Sequence, residues 1–515
     1  LFVAVVSSCV LLLDAQTLRA EPTAPAPATS KGPELVAANE PPDLAFKYVQ
    51  PAHANWFRLS LEELGVLLAG SGYYFSEKSV NSVDWEFGYS WSTLERKLIG
   101  DGYALDDNYF NTNFLSHPGS GALYYAVARA NHVGVGSALL TAFMSSALWE
   151  LVGEFRERVS INDVFVTPLG GFAFGEPLIQ LSSFFDRSCD TTTNRILGSF
   201  FAPPKAVNDY FDHAQLARGP YCDAHGLSSI GEHSFNLQIS NQFTQSGQHE
   251  EGGMLLAARG EVVNLRHFGQ EGSGYSSFSD GNVAELSLAV RTGSQGLDVA
   301  RISARTIPIG VHSRQLRRVF PYGVIGSEWL SGLGVAINYD SHRYSGDVTR
   351  DPFCVLEAPA WFTRFRRFFG DKRLEVDLVV AGAFGGVGAF AQEAYVAEQG
   401  PARLTMVAQA HGYNHVVGVA LGPRARWITP EAEVSVDLGA ERLFGLSSPD
   451  ADGATHDVVA VREARRHAEA VLSVGPSDGP RWQSSALVSS RSGSVGSASR
   501  RVIELGVTTG VSFQF

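Results

Sequence analysis

Charge is scarce in this sequence: 18% of its 515 residues are Asp, Glu, Lys or Arg, against about a quarter in soluble domains. Basic excess is absent, and the formal net charge is −13. That excludes nucleic acid as the main partner, because phosphate binding needs a basic face. Long apolar runs are missing too. Leu1 to Leu13 is apolar but ends at Asp14, short of the ~20 residues a membrane helix needs. Cysteine is confined to Cys9, Cys189, Cys222 and Cys354. No G-x-S-x-G elbow, Walker loop or H-E-x-x-H occurs, so the best-marked hydrolase, nucleotide and zinc-protease classes drop out. No cofactor and no metal are assigned.

What is present has a pattern. Apolar residues are 44%, yet mean hydropathy is near zero. Alternation of lipid-facing and polar residues gives such averages. The 53 glycines suit turns and close backbone contacts in β structure. The length implies two units.

Residues 1–20 read as a secretory signal peptide with its positive n-region missing, ending in Leu18-Arg19-Ala20. Residues 21–44 are rich in Pro and Ala and read as a disordered linker. Residues 45–228 carry helical periodicity. Expected helices open near Leu59 with Ser60 as N-cap, run over Gly119 to Asn131 and Val135 to Glu157, and start again at Thr167-Pro168. The uncharged stretch Val133 to Trp149 is about 17 residues, the lower limit for spanning a bilayer. It is read as a buried helix of a compact domain, with membrane insertion as the alternative.

From residue 229 to 515 the period becomes two. Phe235, Leu237, Ile239 and Phe243 alternate with Asn236, Gln238, Ser240 and Gln242. Ala432, Val434, Val436 and Leu438 alternate with Glu433, Ser435 and Asp437. A further strand is expected within Arg403 to Leu421. The last strand is the best evidence: Ile503, Leu505, Val507, Thr509, Val511, Phe513 and Phe515 share one face. Segments of this length and alternation predict tilted spanning strands, closed into a barrel because lipid cannot satisfy a free sheet edge. The fold class is α+β: an N-terminal helical domain, then an antiparallel transmembrane β-barrel of about 10 to 12 strands. A soluble β-sandwich is the alternative pattern. A terminal strand ending on Phe resembles the sorting signal of bacterial outer-membrane barrels. That resemblance implies the barrel-assembly machinery and outer-membrane lipids as partners, and the bacterial outer membrane as location.

One stretch is dense in polar residues and glycines. It runs Asn113-Phe114-Leu115-Ser116-His117-Pro118-Gly119-Ser120-Gly121, then Tyr124-Tyr125, Ala128-Arg129, Trp149-Glu150, Ser160-Ile161-Asn162-Asp163, Thr167-Pro168, Gly170-Gly171 and Gly175-Glu176-Pro177. This combination resembles a family of bacterial envelope proteins, domain of unknown function 3943, over about Asn108 to Leu181. The resemblance implies envelope location and a shared helical core, but no reaction.

Glu150 and Glu154 are spaced i and i+4, so one helix face holds both. With His117 and Asp163 they are the candidate catalytic residues, as a general acid/base pair or half of a metal site. Asn113, Arg129, Asn162 and Glu176 are candidate ligand-binding residues. The structural reading of the same residues has Arg129 neutralising Glu150, Glu154 pairing with Arg158, and Ser160 capping a helix. Cys189 and Cys222 could form a disulfide, leaving Cys354 alone; buried thiols, or a metal held with His213 and His225, are the other readings. Arg364, Arg366, Arg367, Lys372 and Arg373 with Phe365, Phe368 and Phe369 read as a rim girdle, or as a contact for anionic lipid heads.

Three functional readings follow. The first is an outer-membrane barrel with a helical plug or periplasmic domain, serving envelope maintenance or transport without chemistry. The second is an outer-membrane enzyme acting on lipid or cell-wall material through the His/Glu/Asp cluster. The third is a soluble periplasmic β-rich binding protein. The balance favours a non-enzymatic role.

Overall fold

The computed structural model describes residues 53–81, 87–100, 102–106, 108–214, 222–247, 249–265, 267–293, 296–342, 351–446, 458–477 and 479–515. The expected signal peptide and linker lie outside these.

The first part is helical: α1 (Trp56–Asn81), α2 (Trp91–Ile99), α3 (His117–Ala130), α4 (Val135–Leu148), α5 (Ile161–Arg187), α6 (Thr192–Phe201) and α7 (Pro203–Phe211). A π-helical turn over Thr112–Ser116 leads into α3, and another over Trp149–Gly153 prolongs α4. A parallel pair, β1 (Tyr103–Ala104) and β2 (Val159–Ser160), clips the segments before α3 and α5 together.

Two helix starts differ from expectation. Ser60 is not a cap: it lies inside α1 and its hydroxyl donates to the Trp56 carbonyl. Thr167-Pro168 opens nothing, because α5 begins at Ile161 and runs through Pro168 and Pro177. Ser160 caps that helix instead, accepting from the Asp163 N–H at 3.1 Å. Packing overrides the local signal. A Cβ on Gly121 of α3 would lie 1.8 Å from the Thr167 carbonyl oxygen, and one on Gly171 would lie 2.2 Å from the Gly121 carbonyl carbon. The two helices touch backbone to backbone there.

The second part holds β3 (Glu232–Ser246), β4 (His249–Val263), β5 (Gly272–Phe278), β6 (Val283–Gly293), β7 (Gly296–Val319), β8 (Gly323–His342), β9 (Asp351–Gly370), β10 (Lys372–Val387), β11 (Asn414–Ile428), β12 (Ala432–Gly445), β13 (Val461–Val474), β14 (Gly479–Val495) and β15 (Ala498–Gln514). Twelve of them pair antiparallel in a ring, β7-β6-β4-β3-β15-β14-β13-β12-β11-β10-β9-β8, and β7–β8 pairing closes it. The count falls inside the expected range. β5 is an extra strand on the lower part of β7. The expected strand at Arg403 starts later, at Asn414. Residues before it form α8 (Gln392–Gln399) and α9 (Met406–His411), which ends on Gly412 at φ +72°.

Ion pairs identify the inside of the ring. Arg465 on β13 lies 3.5 Å from Asp340 on β8, and Arg364 on β9 pairs with Glu261 on β4. Strands so far apart in the ring meet only across the lumen. Alternation then fixes every other residue. Phe362, Arg364 and Arg366 point inward and are buried, while Trp361, Phe365 and Phe369 point outward and are exposed. The basic girdle read from the sequence is therefore split by parity: Arg364 and Arg366 line the lumen, while Arg367 is exposed outward with Phe365 and Phe369. On β15, Glu504, Thr508 and Ser512 are buried inward, and Ile503, Leu505, Val507 and Val511 are bare outward. A closed cylinder with a bare apolar exterior does not fit the soluble reading.

The N-terminal helices α1 to α7 are not a plug; the helical segment inside the barrel is α8 with α9, where Ala391, Tyr395 and Ala408 pack on the inward Val461 and Val495. Near the end where the chain enters at Glu232 and leaves at Phe515, the lumen is filled by Leu265, Phe268 and Phe278 against Ile307, Leu330, Phe362 and Val379. The helical residues Tyr125, Val166, Phe172 and Ala173 pack instead with Ala304, Val335, Ile337, Cys354 and Leu356. Ile337 alternates with the luminal Asn338 and Asp340, so it faces outward, as does Cys354 opposite Tyr339. A Cβ on Gly386, also outward, would collide with the Phe114 ring at 2.2 Å. Farther down, Leu181, Phe184 and Phe185 pack on the outward Phe235 and Val262. The helical layer covers the outer wall of the barrel.

Nor is α4 enclosed. Ala138, Ala142 and Ser145 are buried, but Leu140, Met144, Leu148 and Val152 are exposed. Val135–Gly153 and Ile161–Arg187 are each long and apolar enough to cross a membrane. The expected burial of α4 holds for one face: it packs on α3 and α5 and leaves its other face exposed.

Candidate functional site

The eight polar candidates separate into two groups. The lower one is an ion pair between α3 and α5. Arg129 Nε lies 3.1 Å from Glu176 Oε2, and the same carboxylate accepts from Tyr125 Oη at 2.7 Å and, through Oε1, from Gln180 Nε2 at 2.6 Å. Arg129 Nη1 also donates to the Val133 carbonyl at 2.9 Å. Arg129 thus neutralises Glu176, not Glu150, because α3 runs parallel to α5 and places Arg129 well away from the Trp149–Gly153 turn. Gly281, at φ +67°, leaves the room that Glu176 occupies against the barrel wall.

The upper group gathers where α3 and α5 begin. His117 is the first residue of α3, and its Nε2 is 3.5 Å from Asp163 Oδ2. Asp106 belongs with them: one ligand atom from each of Asp106, His117 and Asp163 lies within 4.8 Å of the others. Asn162 ties the group together, accepting from the Asp106 N–H at 2.7 Å and donating to Asp163 Oδ1 at 2.9 Å. Glu150 Oε2 accepts from the Ser160 N–H at 2.8 Å. Glu150 Oε1, Asp163 Oδ2 and His117 Nε2 are buried without a hydrogen-bond partner. Asn113 is close by in the π-helical turn, fully buried, and donates to Tyr413 Oη at 2.9 Å.

The expected i, i+4 face carrying Glu150 and Glu154 does not form. The Trp149–Gly153 segment is a π-helical turn that ends at Glu154. Lys97 braces it, donating from Nζ to the carbonyls of Glu150 at 2.6 Å and Glu154 at 2.8 Å. Lys97 is fully buried, and its charge offsets part of the negative cluster. Glu154, beyond the end of the turn, has its carboxyl pushed up to about 7, mainly by burial and then by Glu157, with His117 opposing. π-helical turns recur at functional sites, and here one stands on each side of the cluster.

Sequence reasoning missed Asp106 and Lys97. Asp106 carried a signal, a carboxylate just ahead of the polar stretch. Lys97 carried none, since nothing in the spacing brings α2 to residue 150. No cluster residue lines either of the two cavities described. One, of about 560 Å³ at the near-end mouth, is lined by Arg364, Arg373, Arg426, Arg481, Glu433 and Phe515 among others. The other, of about 450 Å³, lies on the outer wall around Ile309, Leu333 and Trp361.

Cys189 and Cys222 are joined by a disulfide, with Cα atoms 6.0 Å apart. Cys354 is a buried free thiol.

Among solved structures the chain is similar to the translocator domain of autotransporter NalP from Neisseria meningitidis. Identity is 12%, coverage is 56% of this chain and 90% of that one, and the TM-score is 0.20. It is also similar to the outer membrane phospholipase A from Escherichia coli, at 12% identity, 54% and 92% coverage and TM-score 0.23. A third is OmpT of Vibrio cholerae, at 8% identity, 56% and 100% coverage and TM-score 0.22. At such scores the strand pairing itself, not the likeness, carries the description as a barrel. No curated protein matches the chain. Residues 102–203, which hold both polar groups, match the family model described as Domain of unknown function (DUF3943), and the chain joins that matched region to a closed twelve-strand antiparallel barrel.

Proposed function

We propose that this protein is an integral outer-membrane component serving envelope maintenance, in which a closed barrel anchors a helical domain lying beside it in the lipid. One observation carries the reading: charged side chains fill the lumen, while the helices dock on the opposite, apolar face of the wall. The outer side of the helical layer continues the barrel's own apolar surface. The exposed positions of α1 from Trp56 to Ala69 are Trp56, Phe57, Ser60, Leu61, Leu64, Gly65, Leu68 and Ala69, and those of α4 and its extension include Leu140, Met144, Leu148 and Val152. None is charged, whereas a helix face turned to water is ordinarily polar. The chain enters and leaves the barrel at one end, with one residue between β9 and β10 there, which supports a periplasmic position for that end.

A packed lumen disfavours passage through the barrel. The enzyme reading has less support, since the His/Glu/Asp cluster faces no described cavity. Outer-membrane lipid is then the main partner. Phe515 serves assembly from just beyond β15, where its N–H and carbonyl pair with Phe235 at 3.0 and 3.1 Å.

Single cysteines on a Cys-free background test the arrangement in native membranes. Position 144 should label with a lipid-soluble reagent as position 436 of the barrel wall does, and should resist a bulky water-soluble maleimide. Ready reaction of position 144 with the water-soluble reagent in intact, inserted protein would refute lipid burial of the helices.

A further inference from the structure

We propose that Asp106, His117 and Asp163 form a binding site for a divalent transition cation of the zinc type, at the seam where α3 and α5 begin. The argument starts from charge. Glu150, Glu154 and Asp163 are all at least nine-tenths buried, and Asp106 is only partly exposed. Lys97 reaches this group, but its ammonium is spent on the Glu150 and Glu154 carbonyls. A buried carboxylate without a counter-charge is strongly disfavoured.

Geometry then says what would compensate it. Asp163 is 1% exposed and its Oδ2 has no hydrogen-bond partner, although the Asn162 amide satisfies Oδ1. That orphaned oxygen faces the equally orphaned Nε2 of His117 at 3.5 Å. Zinc bonds of about 2.0–2.2 Å at tetrahedral angles separate neighbouring ligand atoms by roughly 3.3–3.5 Å. The Asp106 carboxylate supplies the third ligand within the same 4.8 Å sphere. Asn162 holds Asp106 and Asp163 in place from behind, as the neighbours of metal ligands commonly do. One imidazole with two carboxylates suits zinc or a neighbouring first-row ion better than calcium or magnesium, which prefer six or more oxygens.

The test uses the full, tag-free protein folded in detergent micelles and stripped with a chelator. Zn²⁺ titrated against a fluorescent chelator should show one saturable site. His117→Ala and Asp163→Asn should each weaken it at least tenfold, while His467→Ala, at an exposed luminal histidine, should not. His117→Cys keeps a ligand and adds a spectroscopic mark: Co²⁺ should give a thiolate charge-transfer band in this variant and none in wild type. Absence of a one-to-one site in folded wild type would overturn the proposal. So would unchanged affinity in both ligand variants, or a Co²⁺-loaded His117→Cys protein without the band.

Discussion

Arg465 and Asp340 approach to 3.5 Å although their strands are five steps apart around the ring. The contact means the barrel is drawn together and spanned by side chains. Arg465 also stacks over the Phe353 ring at 3.8 Å to its centroid, and Glu504 reaches His342 from the other side at 3.5 Å. Lower down, Arg366 is held by Glu328 at 2.8 Å and Glu232 at 2.7 Å. Purified protein in planar bilayers should therefore show no steady conductance. Arg366→Ala would leave buried Glu328 with His312 at 2.9 Å and the Gly269 N–H at 2.8 Å but without its guanidinium partner, and losing one member of a buried pair costs about 3–5 kcal/mol. The heat-modifiability midpoint should fall and intermittent openings should appear. A large, stable wild-type current would contradict a filled lumen.

The contact between the start of α1 and the end of α7 should loosen in acid. Arg58 at the start of α1 grips Asp212, after α7, with two hydrogen bonds of 2.7 and 2.9 Å, and His132 lies 3.5 Å from the same carboxylate. Asp209 and Glu62 are the other charged groups facing them. Arg58 holds the Asp212 carboxyl below its usual range, and burial holds the His132 imidazole below its own. Each group binds fewer protons when docked than when released, so docking strengthens as pH rises. It should weaken from about pH 6.5 downward as His132 charges, and further through the carboxylate range. Hydrogen exchange near Asn55 and Asn131 between pH 7.5 and 4.5 would show this. His132→Asn should flatten the upper part of the profile and Asp212→Asn the lower. Protection independent of pH in wild type would count against the account.

Much of the barrel was legible because its period of two is local. Ile503 to Phe515 needs no partner to show which residues share a face, and strand parity then sorted them as expected. The luminal arginines were not legible that way. Arg364 and Arg366 look like a surface patch until the ring closes and brings Glu261 and Glu328 to them. The helical layer shows the same limit. Val133 to Trp149 announces an uncharged helix, but whether protein or lipid covers it depends on how many neighbours it gains. At the site, His117 and Asp163 were recognisable as chemistry-bearing types. Their meeting depends on the close α3–α5 contact, which short-range spacing does not encode.

That contact should be fragile to a single side chain. Gly121 and Gly171 touch directly, and any Cβ on either meets backbone rather than a yielding side chain. Gly121→Leu should separate α3 from α5, opening both the Arg129–Glu176 pair and the upper cluster. Overpacking of this kind typically costs about 1–3 kcal/mol, sometimes more. The expected readout is a helical domain that limited proteolysis removes while the barrel keeps its heat-modifiable gel shift. Wild-type protease resistance of the variant would show that the helices do not pack this closely. Simultaneous loss of the barrel would show that its strands cannot assemble without them.

The disulfide should fasten the helical layer to the barrel's first strand. Cys189 follows α5 and Cys222 precedes β3, 33 residues apart in sequence, so the bond closes a loop holding α6 and α7. Its ends are already organised: Asn194 Nδ2 bonds both the Cys189 and Gly226 carbonyls at 2.9 Å, and the Ser228 N–H donates to Ser188 Oγ at the same distance. A crosslink over such a loop typically contributes about 2–4 kcal/mol by restricting the unfolded chain. Cys189→Ser with Cys222→Ser should therefore leave the barrel's gel shift unchanged but speed proteolytic cutting between residues 189 and 222. Free thiols at both positions in protein exported to an oxidising compartment would show that the bond does not form. Equal cutting rates in wild type and double variant would show that it holds nothing in place.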